Sequence, residues 1–186
     1  TLYAMLQHFE NQHLNIMTLE DPIEYQLPHI RQSQIQPALN FTYAQGIKSL
    51  MRQDPDIILV GEIRDEETAQ MALRAAMTGH LVLTTLHSPN TTLAFDRLID
   101  LGLDKKLLKN HINGILSQRL VRRLCHICQG SKCAACSHTG YHGRFALMES
   151  FDIQKSAPHP SFKKAAYEAI QSGLTTVEEC ERHVDI

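Results

Sequence analysis

The chain has 186 residues, room for one domain of ordinary size with a small appended module. Its 43% hydrophobic and 20% charged content excludes a disordered chain, and a net charge of −2 gives no overall field that would gather nucleic acid. No apolar run approaches the ~20 residues that span a bilayer, and no signal-peptide pattern opens the sequence.

In chain order, Thr1–Phe9 starts at once with a helical pattern, apolar at Leu2, Met5, Leu6 and Phe9, and no capping residue precedes it. A helix without a start signal suggests a cut chain. Three apolar runs bounded by polar turns read as buried strands: Asn15–Leu19, Ile57–Val60 and His80–Leu86. Between them, Tyr43–Arg52 gathers Ala44, Ile47, Leu50 and Met51 on one side of a helix. Glu66–Met77 does the same with Ala69, Ala72, Leu73, Ala76 and Met77, capped by Asp65 and stopped by Gly79. Thr92–Leu101 and Lys105–Leu124 also read as helical, with Gly102 and Gly114 as interruptions. Arg144–Met148 reads as a short strand, and Ser161–Ile186 as two helices split by Gly173. Strands alternating with helices predict a mostly parallel α/β sheet, whose ligands bind at the carboxyl ends of the strands. Glu20, Glu62 and His87 each follow a predicted strand.

Four constellations carry chemistry. In Thr18-Leu19-Glu20-Asp21-Pro22-Ile23-Glu24 a strand runs into three acids around a proline, which suits orientation of a water or magnesium ion. Taken alone, an acidic capping loop is the plainer reading. In Asp54-Pro55-Asp56-Ile57-Ile58-Leu59-Val60-Gly61-Glu62-Ile63-Arg64 a hydrophobic strand ends in an acid, the way an NTPase sheet delivers a carboxylate to magnesium or the attacking water. Arg52 and Arg64 flank it and suit the charge of phosphoryl transfer; surface pairing with Asp54, Asp56 and Asp65 is the plainer alternative. In Thr78–His87 a strand framed by His80 and His87, with hydroxyls near its end, suits sensing a γ-phosphate or transmitting its presence; for either histidine alone, a satisfied structural residue is the plainer reading. The fourth is Cys125-x2-Cys128-x4-Cys133-x2-Cys136, two CxxC knuckles that supply four thiolates for tetrahedral zinc. A structural staple is the favoured role, His126 and His138 are substitute ligands, and such cysteines fit a reducing cytoplasm. Cys180 reads as packed or free. Arg119, Arg122 and Arg123 read as a solvated or subunit-facing patch.

Together and in this order these segments resemble the secretion ATPases that power type II secretion and type IV pilus assembly. Thr18–Glu24 looks like their aspartate box, Arg52–Asp65 like their atypical Walker B segment, and Thr78–His87 like their histidine box. Ser117–Cys125 with Gly140-Tyr141-His142-Gly143-Arg144 resembles the brackets of their tetracysteine loop. That loop points away from the pilus-retraction branch. It is shorter than is usual in the family, Gln154–Ser172 looks abbreviated, and Ser88-Pro89-Asn90 replaces a common Thr-Asn.

The resemblance implies a RecA-like core over residues 1–124, a metal knuckle over 125–144 and a strand and helical region over 145–186. It implies that Glu62 holds magnesium and the nucleophilic water while Glu20 polarises that water. Asp21 and Glu24 would support them, Arg52 and Arg64 would act on phosphates at a subunit boundary, and His80 and His87 would couple nucleotide state to domain movement. The implied ligands are ATP, Mg2+ and Zn2+. The implied partners are five further copies in a hexamer and an inner-membrane platform protein, on the cytoplasmic side. The family's Walker A loop would end just before Thr1, so the chain alone is expected not to hydrolyse ATP. Two rivals are a zinc-knuckle interaction module and a degenerate regulatory subunit.

Overall fold

A computed structural model describes residues 1–9, 13–152 and 160–185. Strand β1 (Ile16–Glu20) is buried at every position, as expected of a strand covered on both faces. It pairs in parallel with β2 (Arg31–Gln34) on one side and β3 (Ile57–Val60) on the other, and β4 (Leu81–Thr84) pairs in parallel with β3. The sheet order is β2-β1-β3-β4. The strands predicted from apolar runs are present; β2, Arg-Gln-Ser-Gln, was not foreseen, because a polar edge strand carries no apolar signature.

Helices α1 (Leu2–Phe9), α2 (Tyr43–Leu50) and α3 (Glu66–Met77) accompany this sheet. Leu6 of α1 is fully buried with Ile16, Leu27, Ile57 and Leu59. Thr42 caps α2, its hydroxyl accepting from the Gln45 amide at 3.3 Å. Asp65 caps α3 as predicted, accepting from the Thr68 amide at 2.8 Å. Helices α4 (Thr91–Asp100) and α5 (Lys105–His111) follow.

The chain forms two compact units. The first comprises Thr1–His87 and Ala94–His111, the second Ser88–Leu93 and the described residues from Ile112 onward. The second unit corrects one expectation. Lys105–Leu124 is not one helical stretch: α5 ends at His111, and β5 (Gly114–Leu124) pairs antiparallel with β6 (Tyr141–Asp152). The buried residues of β5, Ser117 and Val121, are four apart. That spacing puts them on one face under both the helical and the strand period, so only the pairing with β6 separates the two. β6 is correspondingly longer than Arg144–Met148. Val121 and Leu147 pack with Ala166 and Ala169 of α6 (Phe162–Gln171) and Cys180 of α7 (Val177–Glu181). The helices part at Gly173, where φ is +65°, as predicted.

Two arginines of the cluster are engaged within this unit and are not simply solvated. Arg122 donates from Nε to Glu179 at 2.9 Å and lies 4.2 Å over the Tyr141 ring. Arg119 lies 5.3 Å over the Phe162 ring and donates to the Pro89 carbonyl. Arg123 alone stays exposed. The Glu179 side chain is only 1% exposed, and Arg122, aided by His183, brings its carboxyl down to about 2 against the effect of burial. A depressed folded-state value means stability present above the unfolded value near 4.5 and lost as pH falls through about 2. We therefore expect Glu179→Gln to lower stability at neutral pH by on the order of 3 kcal/mol. The deficit should shrink towards zero as pH approaches the folded value, which urea unfolding across an acid series measures.

Candidate functional site

Parallel strands place all their carboxyl ends at one edge, so β1, β3 and β4 deliver Glu20, Glu62 and His87 to the same side of the sheet. The segments leaving these strands are tied together. The Gly61 amide donates to the Leu19 carbonyl at 2.8 Å, the Ile63 amide to the Thr85 carbonyl at 3.0 Å, and the Thr85 hydroxyl to the Gly61 carbonyl at 2.7 Å. Glu62, with a 14% exposed side chain, accepts from Nε of Arg64 at 2.7 Å, and Nε2 of His87 stands 3.6 Å from the same oxygen. The hydrogen bond to Glu62 raises the pKa of Arg64. Arg64 thus pairs with the site carboxylate and not with Asp65, whose carboxylate is occupied as a helix cap.

Glu20 is buried and carries three donors: the Tyr3 hydroxyl, the Thr18 hydroxyl at 2.5 Å and the Gln32 amide at 3.0 Å. Asp21 follows it at an exposed position, joined to Pro22 by a cis peptide bond. Glu24 is exposed too. Tyr43 completes the edge. A Cβ added at Gly61 would meet the Tyr43 hydroxyl at 2.8 Å and the Leu19 carbonyl at 3.2 Å, so only glycine admits this approach. Burial, then the charges of Glu62 and Asp21, push the Tyr43 phenol up to about 12. Neither tyrosine was singled out from the sequence. The one local signal was Thr42, whose cap starts α2 at Tyr43.

Two predicted residues lie elsewhere. Tyr43 at the start of α2 stands at the carboxyl end of β3, so Arg52, just past the end of α2, falls at the amino end. Roughly 10 Å of strand separates the two ends. Arg52 is exposed, and among the described residues the partners of Glu20 and Glu62 do not include its guanidinium. His80 precedes β4 at the same far end. Its Nδ1 lies 2.9 Å from the Ala75 carbonyl and 3.0 Å from the Thr78 hydroxyl, closing the last turn of α3.

In the second unit the four predicted cysteines converge. The sulfurs of Cys125, Cys128, Cys133 and Cys136 all lie within 4.8 Å of one another, and no histidine joins this group among the described residues. Cys125–Cys133, Cys128–Cys136 and Cys133–Cys136 are 3.9, 3.8 and 3.9 Å apart. A tetrahedron with Zn–S bonds of ~2.3 Å has edges of about 3.8 Å, so the donor set fits zinc. All four thiols are free. Burial pushes the Cys128 thiol up, but donors from Cys133, Gly130 and Cys136 outweigh it and bring it to about 6, which favours the thiolate. The four-residue spacer turns back through left-handed Gln129, Gly130 and Lys132. Gly140, at φ +82°, lets the return strand pass Gly130, where an added Cβ would meet its carbonyl at 2.9 Å.

Comparison with known proteins decides what this arrangement belongs to. The family model described as type II/IV secretion system protein matches residues 1–182. The chain is a member of this family.

Among type II/IV secretion system proteins, the type II secretion system protein HxcR of Pseudomonas aeruginosa is 41% identical over 207 aligned positions. That match covers 96% of this chain and 44% of that relative. The type II secretion system protein E of Klebsiella pneumoniae is 44% identical over 172 positions, covering 80% of this chain and 35% of its own length. The chain spans less than half the length of these curated relatives. Among solved structures, the pilus retraction motor PilT with bound ADP superposes with a TM-score of 0.79 at 26% identity, over all of this chain and 57% of that one. The ATPase DotB of Legionella pneumophila gives 0.75 at 21% identity, over 97% of this chain and 55% of that one, a likeness of fold alone. The expected RecA-like α/β architecture is therefore the family's ATPase fold, with a cysteine cluster able to bind metal.

Proposed function

We propose that this chain is part of an ATP-hydrolysing motor that powers type II protein secretion or type IV pilus assembly. The observation that supports this reading best is the convergence of Glu20, Glu62 and His87 at one carboxyl edge in a chain of the secretion family. Glu62 would hold magnesium and the attacking water, with Glu20 polarising that water and Asp21 and Glu24 supporting both. Magnesium, when bound, would neutralise charge on the transferred phosphoryl group. Arg64 exchanges its Glu62 partner for phosphate oxygens, and Arg52, at the far end of β3, acts on a neighbouring subunit's nucleotide. His87 reports on Glu62, and His80 ties β4 to the end of α3, so a shift at the edge reaches the helix. The motor works as a hexamer on the cytoplasmic face of the inner membrane, pushing or turning a platform protein. No described helix is long and apolar enough to cross a membrane. The cysteine cluster carries one structural zinc.

The 186 residues contain no Gly-rich Lys-Ser/Thr loop to cradle phosphates. The chain alone should therefore neither bind ATP tightly nor hydrolyse it, whereas the full-length protein should do both. Calorimetric titration checks the first point; micromolar, magnesium-dependent affinity in the chain alone would overturn it. Absence of ATP hydrolysis in the full-length protein would favour a regulatory subunit instead.

A further inference from the structure

Three side chains surround Glu20 that no step of the proposed reaction uses. They come from three different elements: Tyr3 from α1, Thr18 from β1 and Gln32 from β2. The Tyr3 hydroxyl donates to Oε2 of Glu20, and the Thr18 hydroxyl and Gln32 amide donate to Oε1 at 2.5 and 3.0 Å. Gln32 reaches further. Its Oε1 accepts from the Leu27 amide at 2.7 Å, and its Nε2 stands 3.2 Å from the Tyr25 carbonyl and 3.3 Å from the Tyr3 hydroxyl. The rings of Tyr3 and Tyr25 meet edge to face at 4.7 Å. One buried carboxylate is thus the meeting point of a helix, two strands and the loop that follows the aspartate box.

From this arrangement we propose that Tyr3, Thr18 and Gln32 are positioning residues that fix the orientation of the Glu20 carboxylate and leave one of its acceptor sites for the attacking water. The inference rests on the reading that Glu20 polarises that water. An ionised carboxylate offers about four acceptor sites. The donors fill both sites of Oε1 and one of Oε2, so the open site is on Oε2. A carboxylate free to rotate would spread that site over many directions; one held by three donors presents it in one. Burial, then the hydrogen bond and charge of Glu20, push the Tyr3 phenol up to about 12, so Tyr3 keeps its proton and remains the donor at neutral pH. Glu20 takes part in no ion pair among the described contacts, so hydrogen bonding is what orients it.

The test is a double-mutant cycle on ATP turnover by the full-length enzyme, with melting temperatures recorded alongside. Tyr3→Phe removes one donor and keeps the ring. Thr18→Val removes a second donor, the hydroxyl on Oε1, and keeps the shape of the side chain. Each should lower kcat roughly 10-fold while KM for ATP changes less than about 2-fold, as for loss of a group that orients a reacting one. In the Glu20→Gln background the same changes should cost less than about 2-fold more, because there is no longer a base to position. Full multiplication of the losses in that background would mean a merely structural role and would overturn the proposal. So would unchanged kcat in both single variants while Glu20→Gln is impaired. If Glu20→Gln itself turns over normally, the reading of Glu20 fails and takes this inference with it. Should Tyr3→Phe fail to fold, Thr18→Val and Gln32→Met complete the cycle.

Discussion

Glu62→Gln in the full-length enzyme is expected to leave nucleotide binding nearly intact and to lower turnover by ~10² or more. Glutamine keeps the size of the side chain and one carbonyl oxygen, so β3, Gly61 and the approach of Tyr43 need not move. It removes the negative charge that attracts magnesium and the acceptor that orients water. It also weakens the hold on Arg64, whose Nε now stands 2.7 Å from Glu62, and on His87 at 3.6 Å. Most binding energy for ATP in such motors comes from amides and a lysine cradling the phosphates, which the substitution does not touch. The signature is therefore a fall in kcat with little change in Kd. Steady-state hydrolysis and nucleotide titration of the same preparation measure both, and unchanged turnover would remove Glu62 from the site.

The second large effect concerns the metal knuckle. Purified without chelator, the protein should carry one zinc ion per chain with four sulfur ligands at ~2.3 Å, readable by elemental analysis and X-ray absorption. The geometry supports this: three sulfur pairs already stand at 3.8 to 3.9 Å, and the Gly140 amide donates to Cys136 sulfur at 3.2 Å, an outer contact that steadies a thiolate. Four protein ligands leave no open coordination position, so the role is structural. Replacing any one of Cys125, Cys128, Cys133 or Cys136 by serine, or stripping the metal, should loosen the loop from Cys125 to Arg144. Beyond the pairing of Tyr141–Arg144 with β5, the loop adds no side chain to the buried cluster of this unit, which is built from β5, β6, α6 and α7. Hydrogen exchange should rise there while the amides of β1 and β3 stay protected. Well under one zinc per chain, with thiols reduced and the fold intact, would overturn this prediction.

The apolar strands of the sheet, the cap at Asp65, the break at Gly173 and the two CxxC turns were legible in the sequence. Each rests on short-range physics: side-chain period along a strand or helix, a carboxylate meeting an amide three residues on, a glycine in a left-handed turn. The family followed from the order of these segments, because aspartate box, Walker B segment, histidine box and cysteine knuckle succeed one another in one chain. The tertiary structure alone decided what depends on pairing across distance. Ile115–Leu124 has a pattern that suits helix or strand equally, and β6, about thirty residues on, made it a strand. Arg52 and Arg64 flank one strand symmetrically in sequence, yet a strand has two ends and only Arg64 shares one with Glu62. The same geometry divides His80 from His87. Tyr3 is 17 residues from Glu20, and Arg122 is 57 from Glu179. A buried carboxylate selects its donors by where the chain brings them, and no local spacing records that choice.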